Sequence, residues 1–421
     1  MIEPDRRAVL AGASGLALSM LLSGRAQAAD GALQPDAMRA DIGVLFNAYT
    51  SLHPGLYRYT TPAKLLRERQ RLELFASKPR ALGDFYLALS AFSSTIRCGH
   101  SFFNPANQTP AVSKALFDKP NRLPFAFTRL EGRMFVTTDL GSGHTLELGT
   151  EILTIYGVPT RDTLARMLPY MRTDGSNDAR KIADLGIPGD EDQTSFDIFY
   201  SLLFPASASS ARFGVRSDGH AATIACPLLT ATDRDAALNP RLADSPYGWR
   251  FAVSGKTAIL TMPTWAVFNR PWDWQTFIDT SVDTAIDRYL PGMIVDLRDN
   301  GGGLDCGAAI LARLITAPLA GNSYSRHTRY RKVPERLSPF LTTWDPGFRD
   351  WGASAKGPDA NGFFTLDAAE ADIIKPAKRR YKGKVAVLIG PTNASTTFAF
   401  AALEQIAPAV NCWGIPAGAE V

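Results

Sequence analysis

Hydrophobic residues recur at helical spacing in the first part of the chain, from about residue 35 to residue 122. Residues 37–52 carry apolar positions at this spacing, which predicts an amphipathic helix. A second stripe of the same period runs through residues 82–96 and stops near Gly99. Because glycine is a common helix stop, His100 is expected on the loop that follows. The pattern therefore predicts an N-terminal helical region, residues 35–122, that carries His100.

The pattern changes to strand-like alternation between residues 123 and 230. Residues 133–138 alternate, and the E-I-L-T-I run at 151–155 is followed by helical spacing over 161–170. This order of glycine turn, strand and helix resembles the second half of a PDZ domain, which binds extended peptide ends at a sheet edge. A generic small β-rich domain is the alternative. Residues 174–205 do not fit a minimal PDZ domain and are interpreted as an insertion.

Two strand–loop–helix units dominate the last region, residues 245–421. The continuous apolar runs at 293–297 and 385–389 are typical of buried parallel strands. A helical pattern follows each run, over about 304–315 and about 395–406. The alternation predicts an α/β fold with a mostly parallel sheet, in which functional residues gather at the carboxyl ends of strands.

Residues 320–380 separate these two units and lack a regular period. They are rich in Tyr, Arg, Pro and Trp. A long irregular segment inside a compact domain is typically a lid or a binding loop, so we expect this one to cover a cleft.

The composition narrows the class of protein. A chain of 421 residues, with 45% hydrophobic and 20% charged residues, is typical of a globular protein of two or three domains and excludes a disordered one. The formal charge of +4 is small, and no Lys/Arg tract is dense enough for a nucleic-acid groove. The four cysteines show no C-x-x-C spacing, so they are interpreted as small buried residues. No metal or organic cofactor is implied.

Residues 1–28 have the layout of an export signal. Arg6 and Arg7 precede an apolar run at residues 8–22, and the A-Q-A sequence at residues 26–28 has the small residues of a cleavage site. The paired arginines are similar to a twin-arginine signal, which predicts a periplasmic or secreted bacterial protein without a stable membrane span after cleavage. An N-terminal membrane anchor is the alternative, although the apolar run is short for one.

Ser395 stands after the second buried run, where the predicted helix begins. A hydroxyl at this position lies at the sheet edge and in the field of a helix N-terminus, which favours developing negative charge. That placement is typical of a nucleophile. It is also typical of a helix N-cap, in which serine is preferred, and by spacing alone the cap is the more common role.

The first buried run leads directly into Asp299-Asn300-Gly301-Gly302-Gly303. Consecutive glycines allow backbone amides to turn towards a ligand, as in phosphate loops and oxyanion holes. No G-K-[ST] sequence follows, so a nucleotide P-loop is excluded. Three glycines alone more often form a tight turn. Together with Ser395 in the same sheet, they make an acyl-transfer site a reasonable hypothesis.

Three stretches resemble motifs of the C-terminal processing (tail-specific) peptidases, in the family's order. I-V-D-L-R-D-N-G-G-G at 294–303 is similar to I-L-D-L-R-x-N-x-G-G, and V-L-I-G-P-T-N-A-S-T-T at 387–397 is similar to V-L-x-x-x-x-S-A-S-A-S. C-G-H-S at 98–101 resembles a D-G-H-T loop. The resemblance implies a ClpP/crotonase-like catalytic core at 245–421, a PDZ-like domain at 123–230, and Ser395 as the nucleophile.

The resemblance also separates two versions of the chemistry. Many members pair the serine with a lysine about 25 residues later, but no lysine follows Ser395. Tricorn-like members use a histidine from the N-terminal region instead, and His100 alone lies in the matching motif. A neutral imidazole is a suitable general base. The alternative is a loop histidine hydrogen-bonded near a helix end. The other histidines are interpreted as structural: His53, His144, His220 and His327.

Further site residues follow from the resemblance by position. The backbone amides of Gly302 and Thr396 would form the oxyanion hole. Ser101 would orient His100, and Glu404 is a weaker candidate for the same role.

The end of the chain departs from the family pattern. Residues 414–421 resemble the start of the family's next loop and strand, and the strands after it are missing. The core is therefore interpreted as truncated, and a fold that closes differently is the alternative. An exposed sheet edge would put stability and activity in doubt.

The sequence as a whole predicts an exported serine peptidase that cleaves peptides or proteins through an acyl-enzyme on Ser395. One alternative is a weak or inactive protein of the same fold that binds peptides or apolar ligands. A crotonase-type acyl-CoA enzyme is another, which export disfavours.

Overall fold

The computed structural model describes residues 32–143, 146–187, 194–205, 209–238, 245, 247–268, 271–321, 326–343, 345–366, 373–404 and 410–414. The predicted export signal and His144 lie outside these residues.

Four helices form the N-terminal region: α1 (Pro35–Leu52), α2 (Pro62–Phe75), α3 (Leu82–Ser94) and α4 (Pro110–Phe117). Pro62 occupies the first turn of α2, and the side chain of Thr61 accepts a hydrogen bond from the Lys64 amide at 3.1 Å, as a helix cap does. The first three helices share one apolar core of buried residues that includes Met38, Ile42, Leu45, Leu65, Leu72, Phe85 and Phe92. The predicted helices over 37–52 and 82–96 are confirmed to within two residues at each end.

An antiparallel sheet follows, with strands β1 (Phe125–Leu130), β2 (Arg133–Asp139), β3 (Glu151–Ile155), β4 (Val158–Pro159), β5 (Ser210–Ser217) and β6 (His220–Pro227). The strand order is β1-β2-β3-β5-β6, and β4 pairs with β3. Helices α5 (Thr160–Met167), α6 (Asp178–Ala183), α7 (Ser195–Leu203) and α8 (Ala231–Leu238) lie along the same stretch of chain. The core contains Phe125, Phe127, Ile152 and Phe213.

The segment interpreted as an insertion, residues 174–205, contributes α6 and α7 to this part of the fold. Phe196 and Ile198 of α7 are buried in the same core as the sheet, and the Phe196 ring packs edge-on against Phe127 with centroids 5.0 Å apart. A capping box between Thr194 and Asp197 begins α7. The segment is therefore an integral part of the core rather than an appendage.

A second sheet contains β7 (Arg250–Ser254), β8 (Thr257–Thr261), β9 (Gly292–Asp296), β15 (Lys384–Ile389) and β16 (Val410–Gly414), in the order β16-β15-β9-β8-β7. Strands β8, β9, β15 and β16 are parallel, and β7 pairs antiparallel with β8. Helices α9 (Trp274–Asp287), α10 (Cys306–Ala312) and α11 (Ser395–Glu404) accompany the sheet. The prediction of an α/β fold with a mostly parallel sheet is confirmed, and the loops after β9 and β15 leave it side by side because these strands are neighbours.

The segment between β9 and β15 is more ordered than its sequence pattern predicted. It contains the short strands β10 (Leu319–Ala320), β11 (Arg326–Thr328), β12 (Ala355–Lys356), β13 (Phe364–Leu366) and β14 (Ile373–Ile374). Tyr330, Val333 and Leu337 are buried against Ala48 and Leu52 of α1. This packing anchors the segment to the N-terminal helices.

None of the helices in the described ranges is both long and apolar enough to span a membrane. Cys226 and Cys306 are buried, as their interpretation as small core residues predicted, whereas Cys98 is only partly buried.

Candidate active site

Ser395 is the first residue of α11 and has a backbone φ of +53°, in the left-handed region. That conformation costs a non-glycine residue about 1–2 kcal/mol, so the surrounding structure must hold it there. The side chain is half-buried. Within the described part of the chain, no helix amide donates to its hydroxyl, whereas the Ala394 carbonyl accepts from the amides of Thr397 and Phe398. A strained serine between a strand and a helix is the arrangement of a nucleophile elbow.

The glycine loop after β9 lies directly against Ser395. Gly302 has φ +98°, and a Cβ atom there would lie 2.9 Å from the Ser395 Cβ and 2.8 Å from the Ala394 carbonyl oxygen. Gly303 has φ +144°, and a Cβ atom there would overlap the backbone of Trp265. Only glycine fits both positions, and the close approach packs the backbone of the loop directly against Ser395.

Asn300 is fully buried and fixes the glycine loop. Its side-chain amide donates to the Met262 carbonyl at 2.9 Å. Its side-chain oxygen accepts from the Gly302 amide at 2.9 Å and from the Thr397 hydroxyl at 2.7 Å. One side chain thereby joins β8, the glycine loop and the first turn of α11.

Asn393 is equally buried and fixes the loop that precedes Ser395. Its side-chain oxygen accepts from the Gly390 amide at 2.7 Å, and its amide donates to the carbonyls of Leu297 and Asn300. The two asparagines therefore lock the loops after β9 and β15 to each other. Sequence reasoning missed both roles, because asparagine in a loop is usually a turn residue.

Gly302 and Thr396, the expected oxyanion donors, lie side by side. The Thr396 amide nitrogen is 3.3 Å from the position that a Cβ on Gly302 would occupy. The Thr396 hydroxyl accepts from the Gly303 amide at 3.0 Å. The Gly302 amide donates to the Asn300 side-chain oxygen at 2.9 Å, so its hydrogen already has a partner in this arrangement.

His100 lies on the loop after α3 and is half-buried. Burial lowers the pKa of its imidazole, the negative charge of Asp174 raises it, and the positive charges of Arg172 and Arg180 lower it; the net direction is down. The imidazole is therefore neutral near pH 7 and able to accept a proton. The Gly99 amide donates to the Asp174 carboxylate at 2.5 Å, and Arg172 donates to the Gly99 carbonyl at 3.4 Å.

Ser101 contacts a different histidine from the one expected. Its hydroxyl lies 3.0 Å from the Nε2 atom of His53, the residue that follows α1. Burial lowers the pKa of His53 to about 4, with smaller contributions in the same direction from Arg329 and His100. Ser101 thus pairs with His53, and no bond from it to His100 is found in the described contacts. His53 has no motif around it, so only the folded chain reveals its place beside His100.

The His100 loop and the Ser395 loop are bridged by the turn that precedes α6. The Asn177 side chain, which caps α6, donates to the Pro391 carbonyl at 2.9 Å. The same turn holds the His100 loop through Gly175, whose amide donates to the Arg97 carbonyl at 2.9 Å. Among the described contacts, His100 and Ser395 share no direct hydrogen bond. The structure brings their loops together through this turn.

Glu404 and the histidines His220 and His327 complete the set of residues considered from the sequence. The side chain of Glu404 is outside the described part of the structure. His220 lies at the start of β6, and His327 lies in β11, where its ring faces Phe363 at a centroid distance of 6.4 Å. In the described ranges, no group of three or more His, Cys, Asp or Glu side chains could hold a metal ion.

Comparison with known proteins gives a match of part of the chain to a family model, and a shared fold. Residues 256–414 match the model of peptidase family S41. This match includes Ser395 and the glycine loop but not His100. No curated protein matches the chain at a significant level.

Mature CPAF has a similar solved structure. In its complex with lactacystin, CPAF superimposes with a TM-score of 0.59 at 12% identity, covering 91% of this chain and 85% of that one. Mature CPAF on its own gives a TM-score of 0.56 at 12% identity, covering 91% and 84%. The photosystem II D1 C-terminal processing protease matches more weakly, with a TM-score of 0.38 at 12% identity over 91% and 81%. The likeness to CPAF shows a shared fold.

Proposed function

We propose that this protein is a serine peptidase that hydrolyses peptide bonds through an acyl-enzyme on Ser395, with His100 as the general base. The observation that carries the proposal is the strained backbone of Ser395, pressed against Gly302 at the ends of two neighbouring parallel strands. Left-handed backbone also occurs in ordinary turns of this chain, as at Glu131 and Asp218, so what distinguishes Ser395 is its place between a parallel strand and a helix, against the glycine loop. The match of residues 256–414 to peptidase family S41 supports the same reaction class.

In the proposed reaction, His100 takes the proton from the Ser395 hydroxyl as its oxygen attacks the carbonyl carbon of the substrate. The developing oxyanion is stabilised by the Thr396 and Gly302 amides. The Gly302 amide must first turn from Asn300 towards the substrate oxygen. Protonated His100 then gives its proton to the leaving amine. A water molecule, activated by the same imidazole, hydrolyses the ester and restores Ser395.

We further propose that the sheet from β1 to β6 is a PDZ-like module that presents a peptide end, and that the chain acts after export to the periplasm or the exterior. The sequence pattern of β3 and α5 supports the first proposal, and the arginine pair with its apolar run supports the second. A folded chain with an assembled site would then meet its protein substrates outside the cytoplasm.

A weak or inactive peptide-binding protein of the same fold is the second candidate. The bond from the Gly302 amide to Asn300 favours it, because an oxyanion hole with one donor turned away stabilises the transition state less. The peptidase and the binding protein differ in one measurable property, the reactivity of the Ser395 hydroxyl.

Labelling with a fluorophosphonate probe tests the choice, because only an activated serine reacts with it. We expect the wild-type protein to be labelled and to hydrolyse an unstructured protein substrate. The Ser395→Ala variant should do neither, whereas the matched control Ser254→Ala, an exposed serine of β7, should do both. Hydrolysis that persists in Ser395→Ala contradicts the nucleophile assignment. Absence of labelling in the folded wild type favours the binding protein.

A further inference from the structure

Asp174 is a buried carboxylate next to the His100 loop, with 2% of its surface exposed. One carboxylate oxygen accepts the Gly99 amide at 2.5 Å, and the other forms an ion pair with Arg180, which is also buried. Burying a carboxylate is costly unless it is paired and hydrogen-bonded, so both partners are needed to keep Asp174 in this place. The carboxylate is thereby fixed one residue away from His100.

The same contact explains the glycine that precedes His100. A Cβ atom on Gly99 would overlap the Asp174 carboxylate, so no larger residue fits while the carboxylate stays in position. The backbone of the loop therefore packs directly on the charge. A residue whose only role was to neutralise Arg180 would not need this close approach.

Three charged side chains act on His100 from the segment packed against its loop: Asp174, Arg172 and Arg180. His53 also interacts electrostatically with His100, and it is neutral above about pH 4. Asp184 shares the two arginines, lying 3.4 Å from Arg180 and 3.5 Å from Arg172. Asp174 is the anion that both acts on His100 and bonds to its loop.

Asp174 also belongs to the turn that reaches the nucleophile loop. Its carbonyl accepts the Asn177 amide at 2.9 Å, and the Asn177 side chain donates to Pro391. A displacement of Asp174 therefore moves the contact to the Ser395 loop as well as the contact to the His100 loop.

We propose that Asp174 is the positioning residue of His100: it holds the loop of the base through the Gly99 amide, and its charge stabilises the imidazolium that forms when His100 accepts the Ser395 proton. This rests on the proposed peptidase mechanism, and it assigns to Asp174 the role that the sequence had left between Ser101 and Glu404. Triad carboxylates perform the same two tasks by bonding the imidazole itself. Asp174 instead acts on His100 through its bond to the Gly99 backbone amide and through its negative charge.

The test compares Asp174→Asn with the control Asp184→Asn in the full chain. Asparagine keeps an oxygen for the Gly99 amide but removes the charge. We expect the NMR titration midpoint of His100 to fall by about one pH unit in Asp174→Asn, since an opposite charge nearby favours the protonated form, and to stay unchanged in Asp184→Asn. The acid limb of kcat/KM for peptide hydrolysis should move down by the same amount, with a loss of about tenfold at the optimum.

A His100 midpoint that is the same in folded Asp174→Asn and in the wild type overturns the proposal. If Asp174→Asn does not fold, Gly99→Ala displaces the carboxylate while keeping its charge in the chain, and its His100 midpoint should also fall. An unchanged midpoint in folded Gly99→Ala refutes the proposal equally. The titration requires no activity, so it decides the role of Asp174 even if the wild type hydrolyses no peptide, an outcome that counts against the proposed function alone.

Discussion

Replacing Asn393 by alanine tests whether the two loops of the site are held by buried asparagines. The change removes a hydrogen bond from three backbone groups: the Gly390 amide and the carbonyls of Leu297 and Asn300. The Leu297 carbonyl keeps the Asn300 amide as a donor at 2.9 Å, so two groups lose their partner. A buried polar group left without a partner costs about 1–3 kcal/mol, and entering water recovers part of this. With two such groups, we expect a loss of about 2–5 kcal/mol in the free energy of unfolding, a large fraction of the stability of a typical domain.

Thr392→Ala is the matched control, because this neighbouring side chain makes a single surface hydrogen bond, to the Arg298 carbonyl at 3.0 Å. It should cost less than about 1 kcal/mol. Urea unfolding followed by tryptophan fluorescence measures both, since Trp249 and Trp265 are buried in the core of the same sheet. Asn393→Asp should be destabilised at neutral pH and partly recover on acidification, because its carboxylate faces two carbonyl oxygens. Equal losses in Asn393→Ala and Thr392→Ala would refute the reasoning.

Two further predictions concern strain and pH. The Ser395→Gly variant should have a free energy of unfolding about 1 kcal/mol higher than the Ser395→Ala variant, because glycine adopts φ +53° without strain. Urea unfolding of the two variants measures this difference. Equal free energies of unfolding would show that the backbone at residue 395 is not strained. The folded-state pKa of His53 lies near 4, below its usual value of 6.5, so its contribution to stability is complete above about pH 6.5 and is lost as the pH falls towards 4. His53→Gln should therefore lose less stability than the wild type between pH 6.5 and pH 4 in thermal melts, and an identical pH dependence would contradict this assignment.

The regular elements around the nucleophile could be predicted because each has a strong local signal. In β9 and β15 fully buried residues alternate with partly buried ones, apart from the exposed Lys384. Both faces of these strands are at least partly covered, which agrees with the continuous apolar pattern in the sequence. Ser395 and Gly302 follow from the same logic, since the ends of neighbouring parallel strands meet. The loops that follow β9 and β15 therefore lie side by side, as the order of apolar runs in the sequence predicts.

The contacts that complete the site could not be predicted, because they join residues far apart in the chain. Asn300 and Asn393 are ordinary loop residues until both loops are placed, and His53 acquires its partner only when α1 packs beside the loop after α3. Residues 174–205 do not match the pattern of a PDZ domain, so the sequence favours an insertion there. Their place in the core follows from Phe196 and Ile198, which burial alone reveals.

The bond from Asn177 to Pro391 has a consequence for the order of folding. The two residues are 214 positions apart, so the contact forms only after most of the chain has been synthesised. A nascent or partly unfolded chain has the serine and the histidine but nothing to hold their loops together. Assembly of the site is then a late event, and under the proposed function a chain that is still folding would lack peptidase activity.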